Sequence, residues 1–181
     1  MNVFKLSALL APTLLIFSCQ PVDPTDPHEE ELITTLQLDL DAGSVVHVLN
    51  YQDLDGDGGN APVLSLDTLL ANTTYSGSIR LFNESETPAE ELTAEVFDEA
   101  EEHQFFFSAS GNSSFAYVDQ DNNGFPVGLA FELVTGEAGS EILSVTLRHQ
   151  PDKGASGVSD GDITNAGGET DIEVLFDVII E

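Results

Sequence analysis

"TDIEVLFDVIIE", residues 170–181, alternates without a break: Ile172, Val174, Phe176, Val178 and Ile180 fall on one side, with acidic or mixed residues between them. A period of two over this length is the signature of a strand that buries one face. The same period recurs upstream. Leu32, Thr34, Leu36, Leu38 and Leu40 alternate, and "SVVHVLNYQ", "APVLSLDTLL" and "TTYSGSIRLFN" follow at short intervals, the last with Tyr75, Ile79 and Leu81 on one face. "HQFFFSAS", "SSFAYVDQ", "VGLAFELVT" and "EILSVTLRH" complete the set. In "QFFF", Phe105 and Phe107 share a face that reads as core, which leaves Phe106 pointing outward. Short strands with turn signals about every ten residues predict a mainly β chain folded as an antiparallel β-sandwich of immunoglobulin-like or Greek-key type, with about nine strands.

One segment breaks the period. "TPAEELTAEVFDEAEEH" opens as a capping box, with Thr87 as N-cap, Pro88 at the first helical position and Glu90 at the third. Leu92, Val96, Phe97 and Ala100 then recur at helical spacing. The pattern predicts a single inserted helix at about 88–103, its apolar stripe packed on a sheet. Strands and helices do not alternate, which excludes a doubly wound parallel sheet.

The amino-terminal residues read as an address rather than as fold. Lys5 precedes a short apolar run, Leu6 to Phe17, and "IFSC" ends it at Cys19, the only cysteine of the chain. The run is too short to span a bilayer. It resembles a bacterial lipobox, which implies cleavage before Cys19 and lipidation of that residue. Residues 1–18 are then the lipoprotein signal peptide, and 19–31, with "QPVDPTDPHEEE", an extended Pro/acidic tether. Residues 32–181 form one β-sandwich domain. Gln20 in place of Asp after the cysteine resembles the outer-membrane sorting rule, so the expected location is the outer membrane, facing the periplasm or the surface.

The chain has 33 acidic residues and a formal net charge of −29. Beyond the signal, Arg80, Arg148 and Lys153 are the fixed cations. Nucleic-acid binding, which needs a basic face, is excluded on this ground. Such acidity fits high-salt surroundings, cation binding or plain solubility.

Taken together, the lipobox, the tether, "EEELITTLQLDL", "QDLDGDGGNAP", "ANTTYSGSI", "ESETPAEELTAEV", "EEHQFFF", "LRHQPDK" and "SDGDITNAGGETDIEV" resemble small acidic β-sandwich lipoproteins of Bacteroidota with no assigned activity. The resemblance implies membership of a surface-lipoprotein group. Look-alikes carry the label of a type 1 periplasmic binding fold, but this chain is too short for two α/β lobes and has one predicted helix.

Two loops match the first half of a calcium loop: Asp53, Asp55, Asp57 with Gly58, and Asp119, Asp121, Asn123 with Gly124. Leu64 and Ala130 stand where an EF-hand needs its closing Glu, so neither is an EF-hand. A hairpin loop can hold calcium if a distant carboxylate closes the shell; the same residues also make ordinary turns. A third acidic turn is Asp160-Gly161-Asp162.

The four histidines are His28 in the tether, His47 between valines, His103 at the expected helix end and His149 at a strand end. His103 and His149, with Glu102 beside them, offer a zinc- or copper-type N/O set if the fold brings the two ends together. His103 also suits a helix C-terminal cation.

No G-x-S-x-G elbow and no phosphate-cradling Gly-rich loop occurs, and the lone cysteine is committed to lipid. The sequence therefore reads as a non-enzymatic cell-envelope lipoprotein, a binding or accessory module with calcium as the first candidate ion. The alternative is a zinc- or copper-capture lipoprotein assisting an outer-membrane uptake receptor.

Overall fold

The structure, a computed structural model, describes residues 32–56, 59–85 and 87–181. The signal, Cys19, the tether with His28, and Asp57 lie outside the described residues.

Among the described residues ten strands, against about nine expected, build two antiparallel sheets, as the alternation predicts in kind. They are β1 (Thr35–Asp41), β2 (Val46–Gln52), β3 (Val63–Leu66), β4 (Thr74–Asn83), β5 (Glu90–Glu91), β6 (His103–Ala109), β7 (Ser114–Tyr117), β8 (Ala130–Val134), β9 (Gly139–His149) and β10 (Glu169–Ile180). The larger sheet runs β3-β2-β1-β4-β8-β7, with β5 on the end of β4; the smaller runs β10-β9-β6.

The core is the space between the two inner faces. Leu36, Leu38 and Leu40 face inward from β1, Tyr75, Ile79 and Leu81 from β4, and Phe131 and Leu133 from β8. Opposite them lie Phe105, Leu143, Val145, Leu147 and the alternating Ile172, Val174, Phe176, Val178 and Ile180. Each fully buried Leu, Ile or Phe contributes about 1.5–3 kcal/mol relative to exposure, so this face outweighs any local propensity. The rings of Phe107, Phe115 and Phe131 bridge the sheets, with Phe107 and Phe131 centroids 4.7 Å apart.

Both edges of the small sheet receive hydrogen bonds from elsewhere in the chain. Leu69 N donates to Ile179 O at 2.9 Å and Ala71 N to Glu181 O at 2.8 Å, along β10. On the other side Phe105 N donates to Val127 O at 2.7 Å and the Tyr117 hydroxyl donates to Phe105 O at 2.6 Å. Open edges invite pairing with other chains, and these bonds occupy part of each edge.

The helix is shorter than its sequence pattern. It occupies Thr93–Asp98 (α1), begins at Leu92 without a side-chain cap, and is preceded by β5 rather than by a capping box. Tertiary pairing overrides the local signal: Glu90 and Glu91 pair with Asn83 and Phe82, Arg80 binds the Glu91 carboxylate, and Thr93 Oγ1 accepts from Leu81 N. Leu92, Val96 and Ala100 are buried as expected, but Phe97 is 58% exposed, because it follows Val96 directly and so points about 100° away from the buried face.

Phe106 also departs from expectation. It is buried, not outward-facing. The long connection from β9 to β10 folds back through two 3-10 turns, Val158–Asp160 and Ile163–Asn165, and covers it. Phe106 packs there with Val158, Ala166 and Ala155 as a second small core.

Candidate metal centre at the end of the small sheet

His103 is the first residue of β6 and His149 the last of β9, and the antiparallel register sets them directly opposite each other. Both lie in phase with the inward-facing Phe105 and Leu147. Their rings stack, with centroids 4.8 Å apart and planes 14° from parallel. Sequence reasoning anticipated this pair but not the third member.

That member is Asp171. Strict alternation from Ile172 puts Asp171 on the outer face with Glu173. The β9–β10 register instead shifts between Thr170 and Ile172, leaving Asp171 as the extra residue of a β-bulge. A bulge re-aims a side chain, and here the Asp171 carboxylate is fully enclosed. A trace of the irregularity is legible upstream. Gly167 and Gly168 both have positive φ, and a Cβ on Gly168 would collide with the His149 carbonyl.

The two Asp171 oxygens divide between the two rings. Oδ2 lies 3.8 Å from His103 Nε2, and Oδ1 lies 4.0 Å from His149 Nδ1. His103 is fully enclosed and the His149 side chain is 9% exposed. His103 Nδ1 lies 3.2 Å from the Glu99 carbonyl oxygen. A carbonyl only accepts, so Nδ1 carries a hydrogen, and Nε2 is the ring atom turned toward Asp171. One ligand atom from each of His103, His149 and Asp171 falls within 4.8 Å of the others. Two imidazoles and a carboxylate in this arrangement can hold a divalent transition metal, or a proton shared between base and acid.

Glu102 stands on the far side of His149, 3.8 Å from Nε2 and half-exposed. Its carboxylate accepts from Gln150 Nε2 at 2.9 Å. It therefore braces the outer edge of the ring rather than facing the enclosed cluster. His47 is elsewhere, edge-on to Tyr75 in the large sheet.

The acidic loops are occupied by their own amides. Asp53 Oδ1 accepts from Gly56 N at 3.0 Å, and Asp55 Oδ2 accepts from Asn60 N and Nδ2 at 3.1 and 2.7 Å. The Asn60 bonds hold the Asp55 carboxyl below its usual range. Asp162 caps a 3-10 turn by accepting from Thr164 N at 2.9 Å.

In the second loop the cation is supplied by the chain. Asp119 accepts from Gly128 N and Ala130 N at 2.7 and 2.9 Å. Asp121 Oδ1 accepts from Asn123 N and Phe125 N, while its Oδ2 lies 3.0 Å from Lys153 Nζ. The same ammonium donates to Ala100 O at 2.5 Å and Pro126 O at 3.1 Å, and Lys153 is only 5% exposed. Of the candidate calcium ligands here, Asp121 is the one bonded to this ammonium, and the other two oxygens at it are main-chain carbonyls. Burial raises the Asp121 carboxyl, but bonds from Lys153, Phe125 and Asn123 outweigh it and leave the group below its ordinary value. Burial pushes Lys153 down, partly offset by the Asp121 bond and charge.

A cavity of about 630 Å³ lies between Leu32–Thr34, the Tyr51–Gly56 turn and residues 170–173 of β10. It joins the first acidic turn to the bulged strand.

No protein-family model, curated protein or solved structure matches this chain.

Proposed function

We propose that this chain is a non-enzymatic lipoprotein of the outer membrane, a single acidic β-sandwich that serves as a binding or accessory module at the cell envelope. The observation that carries the reading is the lone cysteine, Cys19, at the end of a short apolar run and ahead of a Pro/acidic stretch. Two or more acyl chains on that residue suffice for stable membrane attachment. The sandwich begins immediately after the tether, at Thr35. Mass spectrometry of the amino terminus, with and without globomycin, tests the reading; an unmodified, freely soluble chain ends it.

A second reading is favoured by the His103–His149 pair: zinc or copper capture on behalf of an outer-membrane receptor. Titration of the purified chain decides. Affinity weaker than micromolar for both ions, unchanged when both histidines are replaced, removes it. Calcium enters either reading only through the Asp53–Asp55 turn, and a melting temperature indifferent to calcium removes that contribution.

A further inference from the structure

The geometry points to a resident transition-metal site in which His103 Nε2, His149 Nδ1 and the Asp171 carboxylate hold a borderline-soft divalent ion, zinc or an ion of like preference, that clamps the three strands of the small sheet. The inference takes its histidines from the capture reading above but not its transport role.

Four features of the cluster support it. The donor set is two nitrogens and a carboxylate, which suits zinc and its neighbours; calcium and magnesium take oxygen shells. The donors are already close to ligand spacing. Bonds of about 2.0–2.2 Å around a tetrahedral ion place donors roughly 3.3–3.5 Å apart. The carboxylate lies 3.8 and 4.0 Å from the two ring nitrogens, and one ligand atom from each residue falls within 4.8 Å of the others, so an ion draws the three inward and tilts the stacked rings toward it. Asp171 offers one oxygen to each histidine, so a bidentate carboxylate and two imidazoles supply four donors.

The ring of His103 is set as metal-bound imidazoles usually are, with the non-ligating nitrogen donating to a carbonyl, here Glu99 O. Glu102, at Nε2 of His149, is placed to do the same for the second ring. The site is also closed. His103 and Asp171 are fully enclosed and His149 nearly so. Structural sites are closed and exchange slowly, whereas an ion held for transfer needs an open face.

The fold gives the ion something to do. The three ligands come from the start of β6, the end of β9 and the bulge of β10, at the end where the chain leaves β9 for the long connection. An ion there fixes three backbone segments at once, and binding energy at such a site is folding energy. The three fixed cations beyond the signal are engaged elsewhere: Lys153 is bonded to Asp121, Arg80 to Glu91, and Arg148 to the carbonyls of Gly167 and Gly168.

The full mature chain in detergent is stripped of metal, then titrated with zinc and with cobalt. One equivalent of each binds with sub-micromolar affinity. The cobalt form shows the intense visible bands of a four-coordinate ion, and zinc raises the melting temperature by several degrees. His149→Gln and Asp171→Asn abolish the cobalt bands and the zinc shift; Glu102→Gln keeps both. The zinc form retains its ion against a competing chelator at neutral pH for as long as the chain stays folded. Absence of saturable binding by folded wild type overturns the proposal. Binding that survives both His149→Gln and Asp171→Asn overturns it as well. Rapid loss to the chelator overturns residence while leaving capture standing. Should Asp171→Asn fail to fold, the wild-type cobalt spectrum and the exchange rate still decide.

Discussion

Lys153 Nζ lies 3.0 Å from Asp121 Oδ2, inside the loop whose sequence reads as half a calcium site. A side chain 32 residues away supplies an ammonium to this loop, and the carbonyls of Ala100 and Pro126 complete its shell. The contact ties the α1–β6 connection, the β7–β8 loop and the β9–β10 connection to one point.

Lys153→Met is expected to cost about 3–5 kcal/mol, the range for removing one partner of a buried ion pair and leaving the other uncompensated. The expected readout is a lower urea midpoint with an unchanged slope. Asp121→Asn, which keeps the shape and the acceptor, is expected to cost less. Equal losses for the two would show that packing of the lysine stem, not the pair, carries the stability.

The same pair sets an acid limit. Burial raises the Asp121 carboxyl, but chiefly the Lys153 bond holds it below its ordinary value in the folded chain, so the folded state takes up its proton at lower pH than the unfolded state does. Its contribution is fully present above the unfolded value and is lost as pH falls through the folded one. Acid unfolding in the range below about pH 4 is therefore expected to weaken in Lys153→Met. A wild-type and variant pair with superimposable stability differences from pH 6 to 2 would contradict it.

Tyr117 sets an alkaline limit of opposite sense. Burial pushes its phenol up to about 12, and its hydroxyl donates to Phe105 O. A raised folded value means that the contribution is present below the unfolded value near 10 and is lost as pH rises toward about 12. Ultraviolet titration is expected to show one phenol ionising near 12, a step missing in Tyr117→Phe.

Gly77 pairs with Phe131 across β4 and β8, and a Cβ there would clash with the Phe131 ring. Gly77→Ala is expected to cost about 1–3 kcal/mol by overpacking. Phe131→Leu in the same chain is expected to relieve part of that loss, which a double-mutant cycle measures. Strict additivity would mean that the two sites do not share this space.

Much of the sandwich was legible because burial on one face writes itself as period two. Leu36, Leu38 and Leu40, and Ile172 through Ile180, were placed correctly from spacing alone. The helix was legible in kind but not in length. Pairing of Glu90–Glu91 with β4 is a contact made across the chain, and no local capping signal registers it. Phe106 failed for the same reason, since its cover arrives from residues 155–166.

The candidate site divides along the same line. The chain by itself determined its acidity, its two-residue period and the presence of histidines at two strand ends, because these are properties of composition and neighbours. That His103 and His149 face each other follows from register, which only the assembled sheet fixes. That Asp171 joins them follows from one extra residue in β10, which reverses the side-chain direction that alternation assigns. That Lys153 neutralises Asp121 follows from the return of the β9–β10 connection across the sheet. In each case a side chain's partner lies tens of residues away, and only tertiary packing brings it within a few ångströms.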